Sequence, residues 1–563
     1  MDSRFRSLYL LFPLVLLAFG VLLWRLQITA GAAYYEKSQR SIAELETVPA
    51  ARGKLLDCKG NILAQDQVSW TVVVGEDCDA AVRRRLRALC REAEVDWDGQ
   101  GDILSPNALL LAWLQEEALE GVSLSPAVRR QGSGDLAPQL LGRVGAMSQA
   151  EWERYRDQGY ALNELVGKDG AEGAFESLLH GSPGVRLVER DRQGQVTKRA
   201  YAQAPTAGQD VTLTLDRSLQ AAARAALVEA LEKNPQATGA AAVVLDVRDG
   251  GVLAMVSLPD YATEQFSQDY STLAQDPNHP LLNRAIQGLY APGSTFKLVT
   301  AAAALEEGVV NENSTFYCPG FYVVADRTIS CSKKAPGHGS QDLAQAVANS
   351  CNPAFMMIGQ ALGAEKFYNY LTDFGFLEKT GIDMQGEGNS IVWDRRTFTA
   401  ASTQQNTYLA TASFGQGFQA TPIQLITAAS AVINGGHLMQ PYVMDSITDN
   451  QGNIIAQTEP TEVRQVISEE TSERCRAILE GVVDGGTGKR AYVPGYRIGG
   501  KTGSSETIES RRGEDRTIVS FLGFAPADDP QIVVLLAYDA PKPVTPGNNL
   551  TAKGYYISGG NMA

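Results

Sequence analysis

The sequence predicts an α+β protein: an apolar N-terminal helix, a mostly-β first region, and a second region in which an antiparallel sheet is flanked by helices. Three observations carry that prediction. An uncharged run of 17 residues, Leu8 to Trp24, opens the chain. From about Ala50 to Ala204 short strand-like runs alternate with Gly/Asp turns, whereas after Ala207-Gly208 the texture changes to long apolar helices and strands. Strands stand at both ends of that second region with helices between, so its sheet is assembled from distant segments. The length, 563 residues, exceeds the ~250–300 at which one core stops growing and implies at least two domains. With 44% hydrophobic and 20% charged residues the chain is globular rather than disordered. Its 49 Lys+Arg against 64 Asp+Glu, a formal charge of −15, excludes nucleic acid as a partner, because phosphate binding needs a dominant cationic cluster.

The apolar run is at the short end of the ~17–25 residues that cross a bilayer. Arg4 and Arg6 precede it, and Trp24-Arg25-Leu26-Gln27 offers no small-residue cleavage site. The expectation is therefore an uncleaved anchor over residues 8–27. Residues 1–7 are then cytoplasmic and the rest lies outside, by the positive-inside rule. A buried helix of a soluble protein is the alternative. Seven cysteines, an odd number spread over a long chain, do not make a disulfide scaffold.

In the first region Lys59-Gly60-Asn61 reads as a turn between two apolar arms. The second region opens with Leu219, Ala223, Leu227 and Leu231 at helical spacing. Arg248-Asp249-Gly250-Gly251 then separates two apolar runs, a hairpin signal because Asp-Gly accepts the φ > 0 turn. Thr517–Phe524 and Gln531–Tyr538 predict a second hairpin.

Between the hairpins lie three polar constellations. Ser294 and Lys297 begin an apolar helix running to Glu307. Three apart, they share one face, and a lysine in that setting is neutral or paired. A neutral amine beside a hydroxyl is a nucleophile with its base; an N-cap serine followed by a snorkelling lysine is the bland alternative. At Ser350-Cys351-Asn352-Pro353 one helix, Asp342 to Asn349, gives way to another that opens with proline. That junction presents a hydroxyl and an amide together, though it reads equally as capping. In Gly499-Gly500-Lys501-Thr502-Gly503-Ser504 the glycines strip one side of a strand so that another backbone can lie along it. The lysine and hydroxyls there suit a carboxylate.

In this order, Ser-x-x-Lys, Ser-x-Asn and Lys-Thr-Gly resemble the signature of the penicillin-recognising serine acyltransferases. The blocks NRAIQGLYAPGSTFK, NSCNPAF, SFGQGFQATPIQL, GTGKRA and GGKTGSSE are similar to the transpeptidase domain of penicillin-binding proteins. ARGKLLDCKGNILA and GKDGAEGAFESLLHGSPG resemble the pedestal, dimerisation-type domain of class B members of division or sporulation type. The resemblance implies an elongated pedestal at 28–207 and a transpeptidase domain with an all-helical subdomain at 208–563. It makes the chain a peptidoglycan D,D-transpeptidase. Ser294 is then the nucleophile and Lys297 its base; Ser350 relays a proton, Asn352 holds substrate and Lys501 supplies positive potential. Thr502, Gly503 and Ser504 bind the terminal carboxylate, and the backbone N–H groups of Ser294 and Ser504 form the oxyanion hole. It further implies peptidoglycan stem peptides as substrates, β-lactams as covalent inhibitors, a multi-spanning SEDS-type glycosyltransferase as partner in the membrane, and no cofactor for catalysis.

Three departures from the family pattern stand out. Ser504 replaces the usual Thr. Cys58 stands where the pedestal motif commonly has Arg, so an ion pair is expected to be lost. Gly559–Ala563 resembles the opening of the family's last segment, so the domain is expected to be truncated at its C-terminus. A serine β-lactamase or sensor of the same fold is the nearest alternative; Glu365 to Asn369 has a deacylating spacing but follows Ser350 too soon. A non-catalytic cell-wall scaffold is the alternative from another class, opposed by the intact motifs. Gly485–Arg490 lacks the first Gly of a phosphate loop and the Ser/Thr after Lys489, and reads as a loop beside the active site. Cys318, Cys331, His338 and Cys351 fall within 34 residues, a set that could hold a structural zinc. A disulfide, Cys318–Cys331 or Cys331–Cys351, or free buried thiols are the alternatives.

Overall fold

The structure is a computed structural model that describes residues 3–31, 43–75, 78–103, 106–132, 136–160, 164–190, 196–234, 237–402, 405–506 and 517–539. The chain divides into two compact units. The smaller comprises Met1–Arg52, Met147–Glu164 and His180–Gly208; the larger comprises Gly53–Ala146, Leu165–Leu179 and Gln209–Ala563.

The smaller unit holds the helix Ser3–Trp24, continued by a π-helical turn, Arg25–Thr29. Its stretch Leu11–Thr29 has a mean hydropathy of 2.0 with none of it buried, long and apolar enough to cross a membrane. A three-stranded antiparallel sheet follows, in the order Ala43–Val48, Gly184–Arg190, Val196–Gln203. His180 stacks on Tyr160 and meets Glu164 at 3.2 Å.

In the larger unit a six-stranded mixed sheet runs in the order Ile454–Gln457, Met444–Thr448, Asp210–Leu213, Leu55–Leu56, Ile62–Val74, Val122–Gly132. The two short central strands pair in parallel. Residues nearly 400 apart in sequence thus share one sheet, which the linear pattern did not reveal. Arg130 is buried in this region between Asp66, at 3.2 Å, and Glu172, at 2.7 Å. The Lys59-Gly60-Asn61 turn forms as expected, with Gly60 at φ +80° and the Asp57 carboxylate accepting from the Lys59 and Asn61 backbones. Cys58 is exposed, and an ion pair at this turn comes from its neighbour, Lys59 to Asp216, 2.7 Å.

The second sheet of this unit is five-stranded and antiparallel. Its strands are β1 Gly239–Asp246, β2 Val252–Leu258, β3 Gly499–Glu506, β4 Thr517–Ala525 and β5 Ile532–Asp539, in the order β2-β1-β5-β4-β3. The β1–β2 turn carries Gly250 at φ +87°. Every residue of β1 is buried, the mark of a strand covered on both faces. Helix α1, Arg217–Lys233, packs on β1 and β2, and its Asp216 cap accepts from the Ser218 N–H. Between β2 and β3 come α2 Lys297–Glu306, α3 Leu343–Ala348, α4 Asn352–Leu362, α5 Pro422–Ile433 and α6 Glu469–Asp484. All twelve residues of α5 are buried, so it is the centre around which α2 and α6 pack.

Candidate active site

The Ser294 turn owes its shape to two glycines. Gly293 is at φ +59°, and a Cβ there would lie 2.7 Å from the Ser504 carbonyl. Its N–H donates to the Gly415 carbonyl at 2.8 Å. Gly415, at φ +81°, would place a Cβ 2.0 Å from the Gly293 carbonyl. Side chains at either position would push the turn away from its neighbours. Ser294 therefore sits in a 3₁₀ turn, Gly293–Phe296, and the α-helix starts only at Lys297; the sequence pattern placed Ser294 itself at the helix start. Phe296 anchors the turn edge-to-face against Phe376 and Phe418, at 5.2 and 5.0 Å.

The Ser350 junction is equally constrained. A capping box, Asp342 with Gln345, starts α3, and Cys351 N–H closes its end on the Ala346 carbonyl at 3.0 Å. Ser350 then adopts φ 53°, a left-handed conformation rare for a residue with a side chain and frequent at functional sites.

The glycines of β3 admit neighbouring groups of the chain itself, Gly499 the Phe524 ring and Gly500 the Phe521 ring. A Cβ on Gly503 would fall 2.1 Å from Ser520 Oγ and 3.0 Å from Thr295 Cγ2. The strand thus lies against the Ser294 turn, and Ser294 and Ser504 line one cavity of about 500 Å³ with Ser350, Asn352, Thr502 and Gly503.

Two lysines lie beneath that cavity, both fully buried. Lys297 Nζ donates to the Ser350 carbonyl and to Asn352 Oδ1, each at 2.7 Å, and reaches Ser350 Oγ at 3.2 Å. Lys501 Nζ reaches the same hydroxyl at 2.9 Å and the Thr502 carbonyl at 3.1 Å. Among the described residues neither lysine has a carboxylate partner. Burial pushes the Lys297 ammonium down to about 7, offset in part by the thiols of Cys351 and Cys331. Burial, then the neighbouring Lys297, holds Lys501 well below the ordinary lysine range. The oxygen of Asn352 is thus committed to Lys297, and its Nδ2 faces the Ser330 carbonyl at 3.4 Å.

The sequence reading did not assign Phe414, Gln416, Ser332 or Thr487, which also line the cavity. Thr502 Oγ1 donates to Thr487 Oγ1 at 3.0 Å. The sequence signals for Thr487 are the Gly-rich run around it and the GTGKRA block that contains it.

Behind the Ser350 junction, Cys318, Cys331, His338 and Cys351 bring their ligand atoms within 4.8 Å of one another, and all three thiols are buried. Cys331 Sγ lies 3.5 Å from His338 Nδ1 and 4.0 Å from Cys351 Sγ. The contact between the Cys331 and Cys351 thiols lowers the Cys331 pKa and raises that of Cys351.

Residues 240–555 match the family model for the penicillin binding protein transpeptidase domain. The chain belongs to that family. Residues 104–213 match the penicillin-binding protein dimerisation domain. Stage V sporulation protein D of Bacillus subtilis is 40% identical over 395 residues, 68% of this chain and 58% of that protein. The peptidoglycan D,D-transpeptidase MrdA of Acinetobacter baumannii is 28% identical over 544 residues, 89% of this chain and 79% of its own length. A chain of a solved peptidoglycan synthase complex, described as coordinating polymerization and crosslinking, superposes with a TM-score of 0.73 at 29% identity, covering 95% of this chain and 94% of that one.

Proposed function

We propose that this penicillin-binding protein is a peptidoglycan D,D-transpeptidase that works through an acyl-enzyme on Ser294. The observation that supports this reading best is the pair of buried lysines sharing the Ser350 hydroxyl. Near neutral pH Lys297 loses its proton. The neutral amine keeps two N–H groups for the Ser350 carbonyl and Asn352 Oδ1, leaving its lone pair to take a hydroxyl proton. Ser294 Oγ attacks the carbonyl of the penultimate D-Ala, and Lys297 receives its proton. Once protonated, Lys297 donates to the Ser350 hydroxyl, as Lys501 does; Ser350 gives its own proton to the departing amine and takes the one held by Lys297, so both groups return to their starting states. The C–N bond breaks, the terminal D-Ala leaves, and an ester to Ser294 remains. The Ser294 and Ser504 N–H groups carry the oxyanion, while Thr502, Gly503 and Ser504, with Lys501 behind them, receive the terminal carboxylate. Asn352 acts mainly by positioning Lys297. An amine from a neighbouring stem peptide then resolves the ester into a cross-link.

In this reading residues 28–207 form the pedestal and 208–563 the transpeptidase domain. The N-terminal helix is a single-pass anchor with residues 1–7 in the cytoplasm and the catalytic domain outside the cell membrane. A multi-spanning glycosyltransferase supplies the polymerised glycan, as coordination of polymerization and crosslinking in the related synthase complex suggests.

The cysteine cluster is read as a structural zinc site. A tetrahedral zinc, with Zn–S near 2.3 Å and Zn–N near 2.0 Å, spaces two thiolates about 3.8 Å apart and a thiolate and an imidazole about 3.5 Å apart. Separations of 4.0 and 3.5 Å match that frame. Cys318, Cys331, His338 and Cys351 would hold the ion, tying the Ser350 junction to the hairpin Phe321–Ser330. Metal analysis of protein purified without chelator should give close to one equivalent of zinc. Less than a tenth of an equivalent, with acylation unchanged in chelator, sinks the zinc reading.

The function is tested by acylation with a fluorescent penicillin, followed by intact-protein mass spectrometry. Wild type should carry one long-lived adduct and Ser294→Ala none. An adduct lost within seconds would favour a β-lactamase; no adduct on folded wild type would favour the scaffold.

A further inference from the structure

The cavity wall made by Phe414 and Gln416 continues outward into an aromatic shelf. Gly417 comes next, at φ +92°, and a Cβ there would lie 2.6 Å from the Trp393 indole. Its bare backbone is what lets that ring lie flat against the wall. The Trp393 carbonyl accepts from the Tyr368 hydroxyl at 2.9 Å, and nearby Ile391 exchanges backbone hydrogen bonds with Gln419, both at 2.9 Å. Rings then lead from the nucleophile turn to the surface. Phe296 meets Phe418 at 5.0 Å, Phe418 meets Trp393 at 6.3 Å, and Trp393 meets Tyr408 at 5.3 Å. The first two are buried, whereas Tyr408 is 40% and Ile391 58% exposed. Trp393 is half-buried between them, and its indole N–H has no hydrogen-bond partner among the described residues.

Resting on the transpeptidase reading, we propose that Trp393, Tyr408 and Ile391 form a sugar subsite, which holds the N-acetylated ring that carries the donor stem peptide. Thr502, Gly503 and Ser504 take the donor's terminal carboxylate, so the rest of the stem leaves along a wall that those residues do not form. The path over the rings from Phe296 to Tyr408 is at most about 17 Å, and the roughly four residues between the reacting carbonyl and the sugar span ~13–14 Å when extended. The sugar therefore arrives where the rings reach the surface. A pyranose presents C–H bonds on its face, which pack on the negative face of an aromatic ring without any charge on either side. Its acetamido carbonyl is an acceptor for the indole N–H. A peptide laid on the same shelf would find the Ile391 backbone already paired with Gln419, whereas a sugar needs only the ring faces.

The test labels the full chain in detergent with a fluorescent penicillin, in competition with an N-acetylmuramyl pentapeptide or with the same pentapeptide capped by an acetyl group. The concentration of each that halves the labelling rate is measured. On wild type the muramyl form should compete about tenfold better, the effect of one stacked ring and one hydrogen bond. Tyr408→Ala should narrow that preference to threefold or less, and Tyr408→Phe should retain it. Trp393→Phe, which keeps a ring but removes the N–H, should lower it about threefold. Labelling without competitor should match wild type in every variant, since penicillin carries no sugar. A wild-type preference below threefold, or no competition by either peptide, overturns the assignment, as does a preference that persists in Tyr408→Ala. Full retention in Trp393→Phe overturns the acetamido contact, and loss of uncompeted labelling in Tyr408→Ala would show that ring to be structural and overturn its role in the subsite. Failure of wild type to form any acyl-enzyme would remove the transpeptidase reading, and this one with it; normal acylation without discrimination removes this one alone.

Discussion

Arg130 in the six-stranded sheet and Lys297 beneath the cavity are both cations withdrawn from water, yet of the two only Arg130 is given carboxylate partners. Arg130 lies between Asp66 and Glu172. Lys297 meets two neutral carbonyl oxygens and a hydroxyl shared with a second buried lysine. Compensated burial keeps a charge and contributes structure; uncompensated burial expels the proton and creates a base. The difference separates scaffold from chemistry within one compact unit.

The sharpest way to break the contrast is Lys297→Met. Acylation by penicillin should fall by roughly 10³-fold or more, since the general base is gone, while the protein becomes more stable. The sign follows from linkage. With the folded-state pKa down at about 7, the unfolded chain binds more protons between pH 7 and the ordinary lysine value of about 10.4, so wild-type stability rises across that window. The gain from Lys297→Met should be full below pH 7 and shrink towards pH 10, in thermal melts taken at a series of pH values. Wild-type acylation should climb with an ascending limb near pH 7. A gain that is flat with pH would mean the lysine is charged in the folded state.

Arg130→Ala should do the reverse. Leaving Asp66 and Glu172 without their shared cation should cost about 3–5 kcal/mol of stability, measured by denaturant unfolding. Acylation per folded molecule should be retained. The smallest effect sharpens the comparison at the hydroxyl between the two lysines. Ser350→Gly removes the relay but suits φ 53°, so acylation should drop about 10²-fold while the melting temperature holds or rises slightly. Loss of stability in that variant would show the Ser350 hydroxyl to be structural.

The floor of the site was legible because its chemistry is local: Ser294 and Lys297 share one turn, and Ser350 and Asn352 share one helix junction. The two hairpins of the five-stranded sheet were legible because each is a short-range pairing. What stayed hidden depends on chains meeting from afar. Gly415 has meaning only because the Gly293 carbonyl passes over it. Thr487 matters because it reaches Thr502, and Lys59 because Asp216 faces it. Met444–Thr448 joins a sheet begun by Leu55 and Leu56, a pairing that no periodicity in either segment specifies.

The order of the five-stranded sheet has a consequence for how the molecule is made. Strand β1 pairs with β5, Asp246 opposite Ile532. At ~5–20 residues per second of synthesis, the intervening stretch of roughly 290 residues takes on the order of tens of seconds to emerge. Throughout that interval the β1–β2 hairpin, apolar on both faces, has lost the ribosome and not yet met its neighbour. A chain folding in that order leaves the β1 edge unpaired until β5 is available, so the order of synthesis rather than final stability sets when the sheet can close.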